Sequence, residues 1–180
     1  MVIYDVNSSS ALKETAEKLG FQTLEWKVGR AFIHRKVREL RAVIGGEKSN
    51  HLYFGELDGN DDAIYAALKV AELIHKTKTR LSQHVEEIPK YPTTPILVFE
   101  CPDDKKFKAV ETIAEKLESL GYKVSRLDGV KAYTENGWIL IRASNTMPQV
   151  KMSVEAKDHE TLRKLKALGE SLIREAFASV

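Results

Sequence analysis

A chain of 180 residues, 43% hydrophobic and 30% charged, has the composition of a packed, soluble protein of one large or two small domains, and excludes extensive disorder. Its 28 basic and 26 acidic residues are interspersed and leave a formal net charge of +2, and the basic run Arg35-Lys36-Val37-Arg38 lacks interleaved aromatics, so a nucleic-acid partner is disfavoured. No stretch approaches the ~20 consecutive apolar residues of a membrane span, Met1–Val6 does not read as a signal peptide, and the single Cys101 fits a reducing cytoplasm, with packing at a strand end as its role.

Val2–Val6 is a short apolar run before Asn7-Ser8-Ser9-Ser10, which predicts a buried strand and a helix cap. Ala11–Leu19 reads as a helix that Gly20 stops, Phe21–Val28 as a second strand, and Ala31–Leu40 as a second helix with Phe32, Ile33, Val37 and Leu40 apolar. Ala42-Val43-Ile44 is a third strand ending in Gly45-Gly46. The alternation predicts a parallel sheet with crossover helices, an α/β domain over residues 1–80. After a loop to about Gly59, Asn60 can cap a long helix, with Asp61 and Asp62 placed against its dipole. Ala63-Ile64, Ala67-Leu68, Val70-Ala71 and Leu73-Ile74 make it apolar on most sides, so it is expected to be well buried. From Thr77 the pattern dissolves toward Pro89, Pro92 and Pro95, and a linker is expected over residues 81–95.

Ile96–Phe99 restarts as a strand, and Asp103 or Asp104 can cap a helix carrying Phe107, Val110, Ile113, Leu117 and Leu120. Tyr122–Leu127 and Val130–Thr134 read as strands around an Asp128-Gly129 turn, and Glu135-Asn136-Gly137 supplies a hairpin turn. Trp138–Ile141 and Val150–Val154 follow, and Leu162 to Ala176 mark a closing amphipathic helix. Residues 96–180 are thus expected to form a small α+β domain, an antiparallel sheet with two helices on one face.

Two segments carry candidate chemistry. Arg142-Ala143-Ser144-Asn145-Thr146-Met147-Pro148 sits at a strand-to-strand turn. A guanidinium fork matches two phosphate oxygens, Ser144 and Thr146 add hydroxyl donors, and Asn145 adds an amide. An ordinary polar hairpin with one surface arginine has the same composition. Gly45-Gly46-Glu47-Lys48-Ser49-Asn50-His51 follows the third strand, where parallel sheets place ligand sites. Its acceptor, hydroxyl and ring suit sugar hydroxyls, though a flexible polar loop would look alike. His34, His51, His75, His84 and His159 have no metal-site spacing, and Asp61-Asp62 are explained by cap and dipole roles.

Gly46-Glu47-x-Ser49-x-His51, Asp58-Gly59-Asn60-Asp61-Asp62 and Arg142-x-Ser144-Asn145-Thr146-x-Pro148, in that order, resemble the α-D-phosphohexomutases, which include phosphomannomutase/phosphoglucomutase and phosphoglucosamine mutase. The resemblance covers nearly the whole chain, as most of that family's third domain, without its first strand and helix, followed by its fourth. It implies that Glu47 and Ser49 bind hexose hydroxyls, that His51 supports or contacts the site, and that Arg142, Ser144, Asn145 and Thr146 hold the phosphate that is not reacting. It further implies a complete enzyme that interconverts hexose 1-phosphate and 6-phosphate (mannose or glucose) with Mg²⁺, through a phosphoserine and a bisphosphorylated sugar. The nucleophile and metal loops would belong to N-terminal domains not present here, so this piece is expected to be inactive alone and to have phosphosugar and those domains as partners. Where the family has Lys after Tyr-Asp-Val the chain has Asn7, and where His often follows Val-Gly it has Arg30, so these two are possible site residues. A stand-alone sugar-phosphate binding or regulatory module is the alternative.

Overall fold

The computed structural model describes residues 1–179, which divide into two compact units, residues 1–90 and 91–179. In the first unit, β1 (Val2–Asp5) lies between β2 (Thr23–Trp26) and β3 (Ile44–Gly46), parallel to both. The crossovers are α1 (Ser10–Lys18) and α2 (Arg30–Glu39). Ser9 caps α1 by accepting the Ala11 N–H at 3.1 Å. Ile33 and Val37 of α2 bury fully beside Ile3, Ala42 and Tyr53, so the core lies between α2 and the sheet.

The sheet does not end at β3. Leu52–Phe54 forms β4, antiparallel to β3, and Asn60–Asp61 forms a two-residue β5 on β4, joined by a 3-10 turn over Gly55–Leu57. Strand order is β2-β1-β3-β4-β5. Asn60 and Asp61 are therefore strand residues, and the cap of α3 (Ala63–Thr77) is Asp62, whose carboxylate accepts the Tyr65 N–H at 2.9 Å. The expected burial of α3 is also corrected. None of its residues is buried, and Ile64 and Leu68 are 78% and 62% exposed. Its first turns are tethered, with the Tyr65 ring edge-on to Phe54 at 4.9 Å and Lys69 paired to Glu56 at 3.0 Å. An apolar pattern records a demand for burial, and the described residues of this unit meet it only there. Where the periodicity dissolves, a short helix α4 runs over Leu81–Glu86.

The second unit is an antiparallel sheet in the order β6-β10-β9-β8-β7. Its strands are β6 (Leu97–Glu100), β7 (Lys123–Ser125), β8 (Val130–Thr134), β9 (Gly137–Ala143) and β10 (Gln149–Ala156). Along β9 and β10, Ile139, Ile141, Val150, Met152 and Val154 alternate toward one face, where α5 (Lys106–Ser119) and α6 (His159–Ser179) bury Ile113, Leu117, Leu165, Leu172 and Ile173 against them. Cys101 joins that core just beyond β6, and burial pushes its thiol up. Two expectations at α5 are revised. Its N-cap is Lys105, not an aspartate, and Phe107 is 61% exposed, because the buried face of the helix runs through Lys106, Ala109, Val110 and Ile113 and leaves Phe107 off it. Among the described residues, no helix is long and apolar enough to cross a membrane.

Candidate functional site

The loop after β3 is built by backbone closure around one carboxylate. The Glu47 N–H donates to the His51 carbonyl at 3.0 Å, and the Asn50 N–H returns to the Glu47 carbonyl at 2.9 Å. Asn50 takes φ +69°, a left-handed conformation that asparagine tolerates better than most side chains. Glu47 Oε1 accepts the Gly29 N–H at 2.8 Å, and the Tyr53 hydroxyl donates to Oε2 at 2.6 Å. Gly29 presents that N–H from φ +126°, a conformation that a Cβ would strain. Burial, then the bond to Glu47, pushes the Tyr53 phenol well above its usual value, against the opposing charge of Arg30, so the hydroxyl stays a donor.

Beneath this loop, Asp5 is 2% exposed and accepts the Ser8 hydroxyl at 2.7 Å and the Lys48 N–H at 3.3 Å. Burial pushes its carboxyl above the ordinary range, opposed by those two bonds. Lys48, a spacer in the sequence, thus anchors the loop through its backbone.

Of the residues expected to meet sugar, Glu47 is half-buried with both oxygens partnered, and Ser49 and His51 are exposed. A carboxylate has about four acceptor positions, so two hydrogen bonds leave Glu47 able to accept more. His51 turns to a residue outside the loop, its Nδ1 2.6 Å from Asp61 Oδ2, while Asp61 Oδ1 accepts the Leu52 N–H at 3.3 Å. Asp61 is therefore an orienting partner of the histidine and of β4, which replaces its expected helix-start role. Asn7 is buried, and Arg30 is exposed at the first residue of α2 with its charge acting on Tyr53.

In the second unit, β9 and β10 are joined by residues 144–148. The Ser144 N–H donates to the Gln149 carbonyl at 2.8 Å and the Gln149 N–H to the Met147 carbonyl at 2.8 Å, while the Cys101 N–H binds the Pro148 carbonyl at 2.9 Å. Ser144 is buried, whereas Asn145 and Thr146 are exposed. Arg142 Nη2 lies 3.2 Å from each oxygen of Asp128, both side chains being largely buried. The turn that delivers Asp128 depends on Gly129 at φ +78°, where a Cβ would lie 2.5 Å from the Ile141 carbonyl oxygen and 2.6 Å from Arg142 Cβ. One donor of the guanidinium, Nε, is buried and has no hydrogen-bond partner. Sequence reasoning missed Asp128, which read as a plain turn residue, and Tyr53, which read as loop. The one available signal was an acidic residue directly before a turn glycine.

Among the described residues, no group of three or more His, Cys, Asp or Glu side chains is arranged to hold a metal ion.

Two family descriptions account for nearly all of these elements: "Phosphoglucomutase/phosphomannomutase, alpha/beta/alpha domain III" matches residues 1–91, and "Phosphoglucomutase/phosphomannomutase, C-terminal domain" matches residues 97–168. The chain belongs to the phosphoglucomutase/phosphomannomutase family. It is 30% identical over 181 residues to a phosphomannomutase/phosphoglucomutase of Pseudomonas aeruginosa, covering 99% of this chain and 39% of that protein. It is 31% identical over 180 residues to a phosphoglucosamine mutase of Methanocaldococcus jannaschii, covering 99% and 40%. The crystal structure of a phosphoglucomutase/phosphomannomutase family protein from Burkholderia thailandensis superposes with a TM-score of 0.86 at 26% identity, over 97% of this chain and 37% of that one. The chain thus spans about two fifths of the relatives it matches and corresponds to the C-terminal half of a phosphoglucomutase/phosphomannomutase architecture.

Proposed function

We propose that this chain supplies the sugar-recognition and phosphate-anchoring parts of a hexose-phosphate mutase that interconverts hexose 1-phosphate and hexose 6-phosphate. Glu47 and Ser49 bind hexose hydroxyls, with His51 held at the loop's edge by Asp61. Arg142, Ser144, Asn145 and Thr146 hold the phosphate. Arg30, whose charge acts on Tyr53, adds to the binding of the substrate, and Asn7 is a further residue of the site. In phosphoryl transfer most of the catalysis comes from positioning and electrostatics, so a loop reading hydroxyls and a turn gripping an anion are substantial contributions without a nucleophile. The remainder of the enzyme would bring the nucleophile and the magnesium ion, which leaves this chain alone without turnover.

The observation that carries the reading is Arg142. Its guanidinium is oriented by Asp128, flanked by the hydroxyl and amide donors of residues 144–146, and keeps a buried Nε without a partner. A guanidinium carries five N–H donors, so the pairing with Asp128 leaves others with which to hold a phosphate. The preference between mannose and glucose is left to the hydroxyls that Glu47 and Ser49 contact.

Titration calorimetry with mannose 1-phosphate and glucose 6-phosphate tests the reading. Arg142→Ala should weaken both by roughly 10- to 150-fold, the loss of a charged donor worth ~1.5–3 kcal/mol. Unchanged binding, or mutase turnover by the purified chain, would refute it.

A further inference from the structure

Lys106 is set in three unfavourable circumstances at once. It is 4% exposed, although an ammonium resists leaving water. It is the first residue of α5, where the helix dipole repels cations. It also fixes a long side chain with much rotamer freedom to lose. An apolar residue of similar length would suit the core next to Ala109 and Val110 better. Such a placement is expected where a charged donor serves something other than stability.

What Lys106 holds is specific. Its Nζ donates to the Met147 carbonyl at 3.0 Å, in the turn that follows Ser144, and to Asp103 Oδ1 at 2.6 Å. The Asp103 carboxylate is 71% exposed, whereas the lysine side chain paired with it is 5% exposed. Two of the three N–H donors are engaged, with Phe107 the ring nearby at 5.2 Å. The Cys101 N–H takes the neighbouring Pro148 carbonyl, so the far side of the turn is clipped at two consecutive residues by the segment that leads into α5. Neither clip is visible in the Arg142-to-Pro148 motif.

We infer that Lys106 is a positioning residue for the phosphate turn. By drawing in the Met147 carbonyl it keeps residues 144–146 with their donors presented toward the phosphate, and its charge adds to the positive potential there. The inference rests on the phosphate reading of that turn. Lysine suits this task better than a neutral donor, because a charge-assisted bond is shorter and stronger and because the same group favours an anion nearby.

The test uses the whole chain, with inorganic phosphate and glucose 6-phosphate as probes and amide hydrogen exchange as a second readout. Lys106→Met should weaken both ligands roughly 5- to 20-fold and speed exchange at Ser144 and Gln149 at least 10-fold. Lys106→Arg, which keeps charge and donors, should stay within about threefold of wild type, a rescue that a merely structural role would not give. If Lys106→Met fails to fold, Lys106→Gln keeps a donor without the charge and should show the intermediate loss. Wild-type affinity in Lys106→Met (or in Lys106→Gln, if that is the variant that folds), alongside a large loss in Arg142→Ala, overturns the inference and leaves the phosphate reading intact. Wild-type affinity in Arg142→Ala overturns the phosphate reading and the inference with it.

Discussion

Tyr53→Phe isolates the support of the Glu47 loop. The substitution keeps the ring, so it opens no cavity in a core where Tyr53 is fully buried, and removes only a hydroxyl that donates to Glu47 Oε2 at 2.6 Å. Short bonds to a carboxylate contribute about 1.5–3 kcal/mol. Glu47 is half-buried and retains the Gly29 N–H, so its loss is partly made good by solvent and the lower end applies, about 1.5–2 kcal/mol. For a unit of this size that corresponds to roughly 6–15 °C in Tm. Because the chain has two units, a bulk melting curve mixes them. Backbone amide NMR signals followed through urea and temperature resolve residues 1–90 by themselves. Exchange at Asn50 and His51 should also accelerate as the loop loosens. A loss below about 0.5 kcal/mol in residues 1–90, with unchanged exchange, would show that the phenol does not hold the loop and refute the reasoning.

Other outcomes follow from the same contacts. The Asp5 carboxyl is raised by burial, so its folded pKa lies above its unfolded one, and the stability it contributes is complete below the ordinary aspartate range and is lost as pH rises through the folded pKa. Asp5→Asn can still accept the Lys48 N–H and donate to Ser8. The stability of its residues 1–90 relative to wild type, read from their amide NMR signals through thermal unfolding, should therefore climb as pH is raised from 3 to 7; a flat difference would contradict the assignment. Gly129→Ala forces a Cβ into the Ile141 carbonyl and Arg142 and should cost about 2–4 kcal/mol in urea unfolding read at residues 91–179, together with phosphate affinity. A loss of under 1 kcal/mol would mean that this turn yields easily. Leu68→Lys on the exposed face of α3 should change the stability of residues 1–90 by no more than about 0.5 kcal/mol; a larger loss would mean that α3 is covered.

What the sequence made legible was local. Ser9 and Gly20 bracket α1, Val130–Thr134 falls where alternation places it, and the heptapeptide from Arg142 lies on the β9–β10 connection. Such signals lie within a window of a few residues. The contacts that orient the candidate groups span longer separations: Gly29 with Glu47 across 18 residues, Arg142 with Asp128 across 14, Lys106 with Met147 across 41. No periodicity encodes these, since each partner has an adequate local role as turn, cap or spacer. Strands β4 and β5, of three and two residues, are too short to show alternation. The error over α3 has another cause. Its pattern reports how much apolar surface it carries, not whether the described residues of its unit cover it.

The most direct test is an amide NMR titration of the chain, first with inorganic phosphate and then with glucose 6-phosphate. Phosphate alone should shift the amides of residues 142–147 and of Gln149 and leave residues 47–51 unmoved; the sugar phosphate should shift both sets. Phosphate that leaves the 142–149 turn unmoved, or a sugar phosphate that never reaches residues 47–51, would contradict the division of labour between the anion turn and the hydroxyl-reading loop.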